Sequence, residues 1–312
     1  FYAAFMVVTL GSSIGGFLPV ITAINHWFNR RRSLAMAIAM SGINFGGILV
    51  PLMAFGIDSH GFRWTTGGIG AALLAVSVPA FLFIRNRPED YGLRPDGDQP
   101  GGGAPASRTA NGATAEPDLT ARQAIRTRAF WVILTSNIAS GVPLTSLMVH
   151  LVPKLTDMGY SLGGASVVVT VFTVVGLPAT FLAGYLGDRL PKPPLICAAL
   201  LLQGGAIILL AFSNSPWLAW VFAPMYGLAF GARIPLTTAM RGEYFGRKAF
   251  ATISGLSQLP SSLAMMAGPL FAGYLFDLQQ SYFVPFAAFA VMSVAGAGLI
   301  LLARKPSATA AA

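Results

Sequence analysis

The chain has 312 residues, of which 54% are hydrophobic and only 10% are charged. Soluble globular proteins carry about 25% charged residues, so this composition excludes an ordinary soluble domain and indicates a membrane protein. The single cysteine, Cys197, excludes a disulfide framework within the chain.

Nine apolar segments follow one another, each long enough to cross a hydrocarbon core of ~30 Å as a helix. None of them alternates in polarity as a transmembrane β-strand does. The sequence therefore predicts an all-α membrane protein with nine transmembrane helices. The predicted spans are 3-28, 33-57, 62-84, 129-152, 163-187, 193-213, 216-240, 249-275 and 282-303.

The net charge of +9 comes mainly from cations on one side of these spans. Only Arg63 and Lys154 fall on the opposite side, and Arg233 falls inside a span. Because lysine and arginine accumulate on the cytoplasmic side, we expect a multi-pass protein of the cell membrane with its Phe1 end outside and its C-terminus cytoplasmic. The basic charge reflects this topology, so we expect no nucleic-acid partner.

A long polar interval at residues 87-125 is rich in Gly, Pro, Ala and acidic residues. Such a segment cannot bury a core and is predicted to be a flexible cytoplasmic linker. It separates an N-terminal helix bundle, residues 1-86, from a six-helix bundle, residues 126-306, which a cytoplasmic tail, 307-312, follows.

Two segments repeat one pattern: WFNRRRSLAMAIAMSGINFGGILVPL and YFGRKAFATISGLSQLPSSLAMMAGPL. The register pairs Phe28 with Phe245 and Pro51 with Pro269. Three spans lie between the polar interval and the second copy, whereas no span precedes the first copy, so we expect two duplicated halves of six helices. The chain would then hold helices 4 to 12 of twelve, three in the first half and six in the second. This is the architecture of the major facilitator superfamily.

Several motifs resemble the monocarboxylate porter and oxalate/formate antiporter-like group of that superfamily. They are WFNRRRSLAMAIAMSGINFG, RPEDYGLRPDG, HLVPKLTDMGYS, GYLGDRL and GARIPLTTAMRGEYFGRKAF. Two departures stand out. Ala37 stands where the family's motif usually has Gly, and the interior of span 163-187 lacks the Asp-Arg pair of the animal porters. Asp188 and Arg189 lie at the end of that span instead.

Arg233 is the one basic residue embedded in a predicted span. A charge in the bilayer costs at least ~2.5 kcal/mol on insertion scales and is a functional hypothesis by default. A guanidinium in a wet cleft can bind a carboxylate through two parallel hydrogen bonds, which favours an organic anion as substrate. The alternative is a structural role, in which Arg233 packs against helix-end carbonyls or Glu243.

Four other polar residues are candidates to contact the substrate. His150 titrates near neutral pH and can bind an anion or relay a proton; alternatively it is an interfacial histidine beside Lys154. The other three are Asn137, Thr145 and Gln258. No Asp or Glu lies inside a span, so proton coupling would use His150 or a residue outside the chain, or would not exist.

Asp188 resembles the acidic residue of the superfamily's loop motif. The resemblance implies a gating cluster in which Asp188 bonds Arg241 and faces the start of span 33-57. Ser33 and its neighbours offer the partial positive charge of a helix N-terminus there. The alternative is a local pair with Arg189 or Lys192.

The basic cluster of Arg30, Arg31 and Arg32 is placed in the cytoplasmic turn before that span. It is expected to hold the topology by charge and to belong to the gating motif rather than to the substrate site. Glycines at four-residue spacing, Gly227 with Gly231 among them, are interpreted as helix-packing faces.

Nothing in the sequence indicates catalysis, a phosphate-binding loop or a metal-ligand cluster. We therefore expect a monomeric transporter of small organic anions, mono- or dicarboxylates, with no cofactor and with H+ or a counter-anion as the coupled ion. Two alternatives remain: an exporter of neutral or amphiphilic compounds, and a transporter-like sensor that binds a ligand without moving it.

Overall fold

The computed structural model describes residues 2–83, 85–97, 119–212, 215 and 217–306; the predicted tail 307-312 lies outside them. The described residues form eleven α-helices and no strand, which confirms the predicted all-α fold. The helices are α1 Tyr2–Gly15, α2 Phe17–Trp27, α3 Arg32–His60, α4 Phe62–Phe83, α5 Ala121–Arg126, α6 Arg128–Asp157, α7 Leu162–Gly187, α8 Lys192–Ala211, α9 Trp217–Phe245, α10 Phe250–Gln279 and α11 Phe283–Ile300.

All nine predicted spans coincide with helices. The first span is divided into α1 and α2 at Gly16, where the backbone leaves the helical region (φ −90°, ψ −134°). Six segments in the described part of the chain are long and apolar enough to cross a membrane. They are Met6–Trp27, Arg128–Asp157, Leu162–Gly187, Lys192–Ala211, Phe250–Gln279 and Phe283–Ile300.

The C-terminal bundle, α6 to α11, is held together by close helix pairs. α7 packs along α9, α8 packs against α9 and α11, and α6 packs against α10 and α11. A Cβ atom on Gly227 or Gly231 would collide with the backbone of Phe172 or Gly176 in α7. These glycines therefore let the backbones of α7 and α9 touch, as their spacing predicts.

The N-terminal helices pack on this bundle through α3 and α2. α3 lies against α7 and α9, α2 contacts α10, and α4 packs on α3. Five buried residues form an apolar cluster between the two groups of helices: Ile21, Met36, Met40, Ala239 and Phe250. We call it the inter-half core.

Ala37, the residue that departs from the family's glycine, faces a glycine in α7. A Cβ atom on Gly184 would meet the Cβ of Ala37 and the backbone of Leu34. The space that a glycine would provide in α3 is thus provided by Gly184 in α7, so α3 and α7 still approach closely.

The predicted linker 87-125 is structured at both ends. The turns Glu89–Tyr91 and Pro95–Gly97 are 3₁₀ helices. At the other end, Thr120 caps α5, and the buried Leu119 donates its backbone N–H to the carbonyl of Phe245 at 3.2 Å. These ends are bound to the bundle rather than free chain; residues 98–118 lie outside the described residues.

Candidate functional site

Arg233 lies inside the C-terminal bundle, in α9, with 5% of its surface exposed. Its Nη1 donates to Oδ1 of Asn137 in α6 at 3.4 Å, and its Nε has no hydrogen-bond partner among the described residues. The hydroxyl of Tyr226, two turns earlier on the same face of α9, is also buried without a partner. A cation and a hydroxyl with unused hydrogen-bonding capacity therefore share one helix face.

Asn137 connects Arg233 to a third helix. Its Nδ2 donates to Oγ of Ser261 in α10 at 3.5 Å, and the Ser261 hydroxyl donates to the carbonyl of Ser257 at 2.8 Å. The structure thus brings together two of the predicted substrate residues, Arg233 and Asn137, in a polar chain that crosses α9, α6 and α10.

Glu243 does not pair with Arg233, so this part of the structural role considered for Arg233 is not observed. Its carboxylate accepts a hydrogen bond of 2.6 Å from Nζ of Lys192. No Asp or Glu among the described residues forms an ion pair with Arg233 or with the buried Arg241. α9 therefore carries two buried cations without a carboxylate partner in the described part of the chain.

His150 is bonded to protein groups at a different level of the bundle. Its Nε2 donates to the carbonyl of Pro269 at 3.0 Å, and its Nδ1 lies 3.4 Å from the hydroxyl of Tyr282. Because a carbonyl can only accept, the Nε2 atom carries a proton in this arrangement. His150 is thirteen residues beyond Asn137, roughly 20 Å along α6, so the structure does not bring it to Arg233.

Thr145 and Gln258 are not brought to Arg233 either. Pro269 has no N–H, so the carbonyl of Met265 lacks its partner within α10; the Thr145 hydroxyl donates to that carbonyl at 2.8 Å. Gln258 is exposed and donates to Ser262 on its own helix at 3.2 Å. Both residues therefore make packing or surface contacts in this structure.

Thr180 makes the same kind of bond in α7, and the sequence did not single it out. Its hydroxyl lies 3.0 Å from the carbonyl of Gly231, which Pro235 leaves without a partner in α9, and 2.8 Å from the carbonyl of Gly176. It also accepts a hydrogen bond of 3.3 Å from Nδ2 of Asn44 in α3. The signal in the sequence was Pro235, since a proline in a helix always frees the carbonyl four residues earlier.

Asp188 binds the start of α3. The contact lies at one end of the molecule, where the turns 28–31, 188–191 and 246–249 meet; we call this end the basic end. Its two carboxylate oxygens accept hydrogen bonds from the backbone N–H groups of Ser33, at 2.7 Å, and Leu34, at 3.1 Å. The contact expected with this helix N-terminus is present. The expected bond to Arg241 is not found among the described residues.

The local pairs considered for Asp188 are absent as well. The guanidinium of Arg189 lies over the ring of Tyr185 at 3.9 Å, and Lys192 pairs with Glu243. Asp188 therefore contacts the opposite half of the molecule rather than its sequence neighbours.

The three arginines before α3 have different environments. Arg32 is 3% exposed and donates to the carbonyl of Phe28 and the side chain of Asn29. Arg30 lies 3.7 Å from the carboxylate of Asp96, which also accepts from the backbone N–H of Arg30. Arg31 is exposed beside an apolar groove between α2 and α3. The cluster thus fixes the turn as well as supplying charge.

A second contact joins the halves at the basic end and was not predicted. Arg247, in the α9–α10 turn, donates to Glu89 at 2.9 Å and to the carbonyl of His26 in α2. Burial raises the pKa of the Glu89 carboxyl, but hydrogen bonds from its own backbone and from Arg247, with the guanidinium charge, outweigh this effect. The pKa of Glu89 therefore lies below its ordinary value of 4.5.

Comparison with known proteins connects this arrangement to transporters. The chain is 25% identical to "Monocarboxylate transporter 13" of Rattus norvegicus in an alignment of 301 positions that covers 91% of the chain and 63% of that relative. It is 26% identical to "Monocarboxylate transporter 11" of Homo sapiens over 273 residues, 84% of the chain and 54% of the relative. It is 25% identical to "MFS transporter asaE" of Aspergillus flavus in an alignment of 313 positions that covers 97% of the chain and 66% of the relative.

The chain thus spans less than two thirds of the length of these relatives. A family model described as Major Facilitator Superfamily matches residues 1–165 and, separately, residues 144–312. Together the two matches cover every residue, and the all-helical fold agrees with them. The chain belongs to the Major Facilitator Superfamily.

Proposed function

We propose that the protein carries small organic anions, mono- or dicarboxylates, across the cell membrane by alternating access. The observation that carries the proposal is Arg233, a guanidinium buried in α9 with an unpaired Nε and no carboxylate partner in the described residues. A buried cation without a counter-ion is costly, by several kcal/mol in desolvation. A carboxylate that enters from water would offset this cost and bind the guanidinium through two hydrogen bonds.

Asn137 fits the same role. As a neutral amide it orients Arg233 through Oδ1 without neutralising it, so the charge stays available for an anionic ligand. Relatives whose names specify monocarboxylate transporters support this substrate class.

Alternating access requires contacts between the halves that break and re-form. Asp188 at the N-terminus of α3, together with the inter-half core, joins the two halves near the basic end. We propose that the basic end is cytoplasmic and that release of Asp188 from α3 accompanies inward opening. Arg30, Arg32 and Arg247 stabilise the turns that meet there.

The test compares Arg233→Gln and Arg233→Lys in the complete gene product reconstituted in liposomes. Counterflow of radiolabelled pyruvate and succinate should fall at least tenfold for Arg233→Gln. It should fall less for Arg233→Lys, which keeps the charge but cannot donate two parallel hydrogen bonds. Arg63→Gln, the same change at an exposed arginine, is the matched control.

Unchanged counterflow in Arg233→Gln would reject the proposal. Anion binding without any exchange in the parent protein would favour a sensor. Export of neutral compounds with no anion counterflow would favour the exporter.

A further inference from the structure

We propose that Thr180 and Asn44 are positioning residues that couple the geometry of Arg233 to the contact between the two halves. The inference rests on the proposed function, because it assigns Asn44 and Thr180 to the substrate site around Arg233. Neither side chain contacts Arg233, so both act through the backbone of α9.

The backbone of α9 lacks one internal hydrogen bond beside Arg233. Arg233 lies between Gly231 and Pro235, in the turn whose internal hydrogen bond is missing because Pro235 has no N–H. The Gly231 carbonyl receives its bond from outside the helix, from the hydroxyl of Thr180, whose single proton it shares with the carbonyl of Gly176. The shape of the turn that carries Arg233 therefore depends on a residue of α7.

The Thr180 hydroxyl is also bonded to the other half of the molecule. Asn44, in α3, donates its amide to the same hydroxyl, and both side chains are buried, at 3% and 1% exposure. A hydroxyl that accepts a hydrogen bond becomes a stronger donor. Contact between α3 and α7 thus strengthens the bond from Thr180 to Gly231, and separation of α3 weakens it. The orientation of Arg233 then differs between the two states of the transporter.

The chain contains a matched control for the bond between Thr180 and the carbonyl that Pro235 frees. Thr145 donates to the Met265 carbonyl that Pro269 leaves free, within the same bundle but without a bond to α3. Thr145→Val removes an equivalent bond to a carbonyl freed by proline, so it measures the structural effect of losing such a bond.

The backbone step is tested by thermal unfolding. Thr180→Val should lower the unfolding temperature by about 2–4 °C, and Thr180→Ser should not. In a Pro235→Ala background, where residue 235 supplies its own N–H to Gly231, Thr180→Val should cost at most half as much. An equal loss in both backgrounds would overturn this step.

The coupling step is tested by the distance between spin labels at positions 31 and 190, one in each half, with the single Cys197 replaced by Ser. Asn44→Leu and Thr180→Val should each raise the population with a separated basic end roughly fivefold. The double variant should not exceed Thr180→Val, because loss of the Thr180 hydroxyl already removes the bond that Asn44→Leu removes. Thr145→Val should leave the distances unchanged; a change equal to that of Thr180→Val would overturn the coupling.

Uptake of pyruvate by the complete gene product links these steps to Arg233. Asn44→Leu should raise the KM several-fold in the parent but not in Pro235→Ala, and an equal effect in both would overturn the inference. If the parent moves neither pyruvate nor succinate, the proposed function fails. The unfolding and distance measurements would still decide between coupling and simple packing.

Discussion

Asp188 accepts a hydrogen bond of 2.7 Å from the backbone N–H of Ser33, across 155 residues of sequence and across the interface between the two halves. Its second oxygen accepts from Leu34. A carboxylate at a helix N-terminus is worth about 0.3–1 kcal/mol, and up to ~2 kcal/mol when partly buried. This bond is therefore strong enough to bias the two halves and weak enough to break during transport.

Replacement of Asp188 by Asn should loosen the basic end, because the amide keeps the shape but loses the charge. We expect maleimide to label a cysteine introduced at Met36, in the inter-half core, several-fold faster in Asp188→Asn than in its parent, both in a Cys197→Ser background. Glu243→Gln is the control, since Glu243 pairs with Lys192 in its own half. Equal labelling rates with and without the Asp188 change would show that the bond does not hold this end closed.

Replacement of Asn137 by Asp should inhibit transport by supplying Arg233 with an internal carboxylate. The new ion pair would compete with the substrate anion, so we expect a KM at least tenfold higher together with a raised unfolding temperature. Asn137→Ala removes the bond to Arg233 without adding charge and should raise the KM less. Identical KM values for the two variants would argue against direct anion binding at Arg233.

The Glu89–Arg247 contact should depend on pH in a defined direction. The pKa of Glu89 is lowered in the folded protein, so its carboxylate contributes stability above its ordinary value of 4.5. That contribution is lost as the pH falls through the lowered pKa. We expect Glu89→Gln to have a lower unfolding temperature than the parent at pH 7. The difference should shrink as the pH falls below 4.5 and disappear below the lowered pKa of Glu89.

Tryptic cleavage after the exposed Arg85, which precedes Asn86, offers an independent measurement of the same contact. It should be faster in Glu89→Gln at pH 7, because the turn that follows α4 is no longer held by Arg247. Asp90→Asn, a change at the exposed neighbouring residue, should behave like the parent. A pH-independent difference in unfolding temperature would contradict the role of the carboxylate charge.

The glycine face of α9 should be intolerant of even one methyl group. Gly231→Ala places a Cβ against the backbone of Gly176, and overpacking of this kind costs about 1–3 kcal/mol. In Gly298→Ala no described atom lies within 4 Å of the new Cβ, so helix propensity should make that change neutral or slightly stabilising. Thermal unfolding in detergent compares the two; equal temperatures would contradict the close approach of α7 and α9.

The helices were predictable because the bilayer imposes one length and one polarity on every span. The bend at Gly16 was not, because hydropathy averages over a window and is insensitive to a single residue. The contact of Asp188 with the start of α3 followed from the loop motif. Its predicted bond to Arg241 is not found among the described residues, because a loop motif indicates the residue types at this end and not which of them pair.

The candidate site was predictable in its residue types and not in its pairs. Arg233 and Asn137 were each identified as polar residues in apolar spans, but 96 residues separate them, and hydropathy does not indicate which helices adjoin. Thr180 lies in a β-branched apolar run and looks like packing. Only its position opposite the carbonyl freed by Pro235 distinguishes it, and that position requires the structure.

The contact of α7 with α9 through glycine has a mechanical consequence. Side chains at an interface can change rotamer and absorb small movements, whereas touching backbones cannot. α7 and α9 therefore form one stiff unit, and a displacement of α3 against α7 reaches the turn around Arg233 with little attenuation. Transmission of the proposed movement to Arg233 would then depend less on any charged residue than on Gly227 and Gly231, which have no side chains at all.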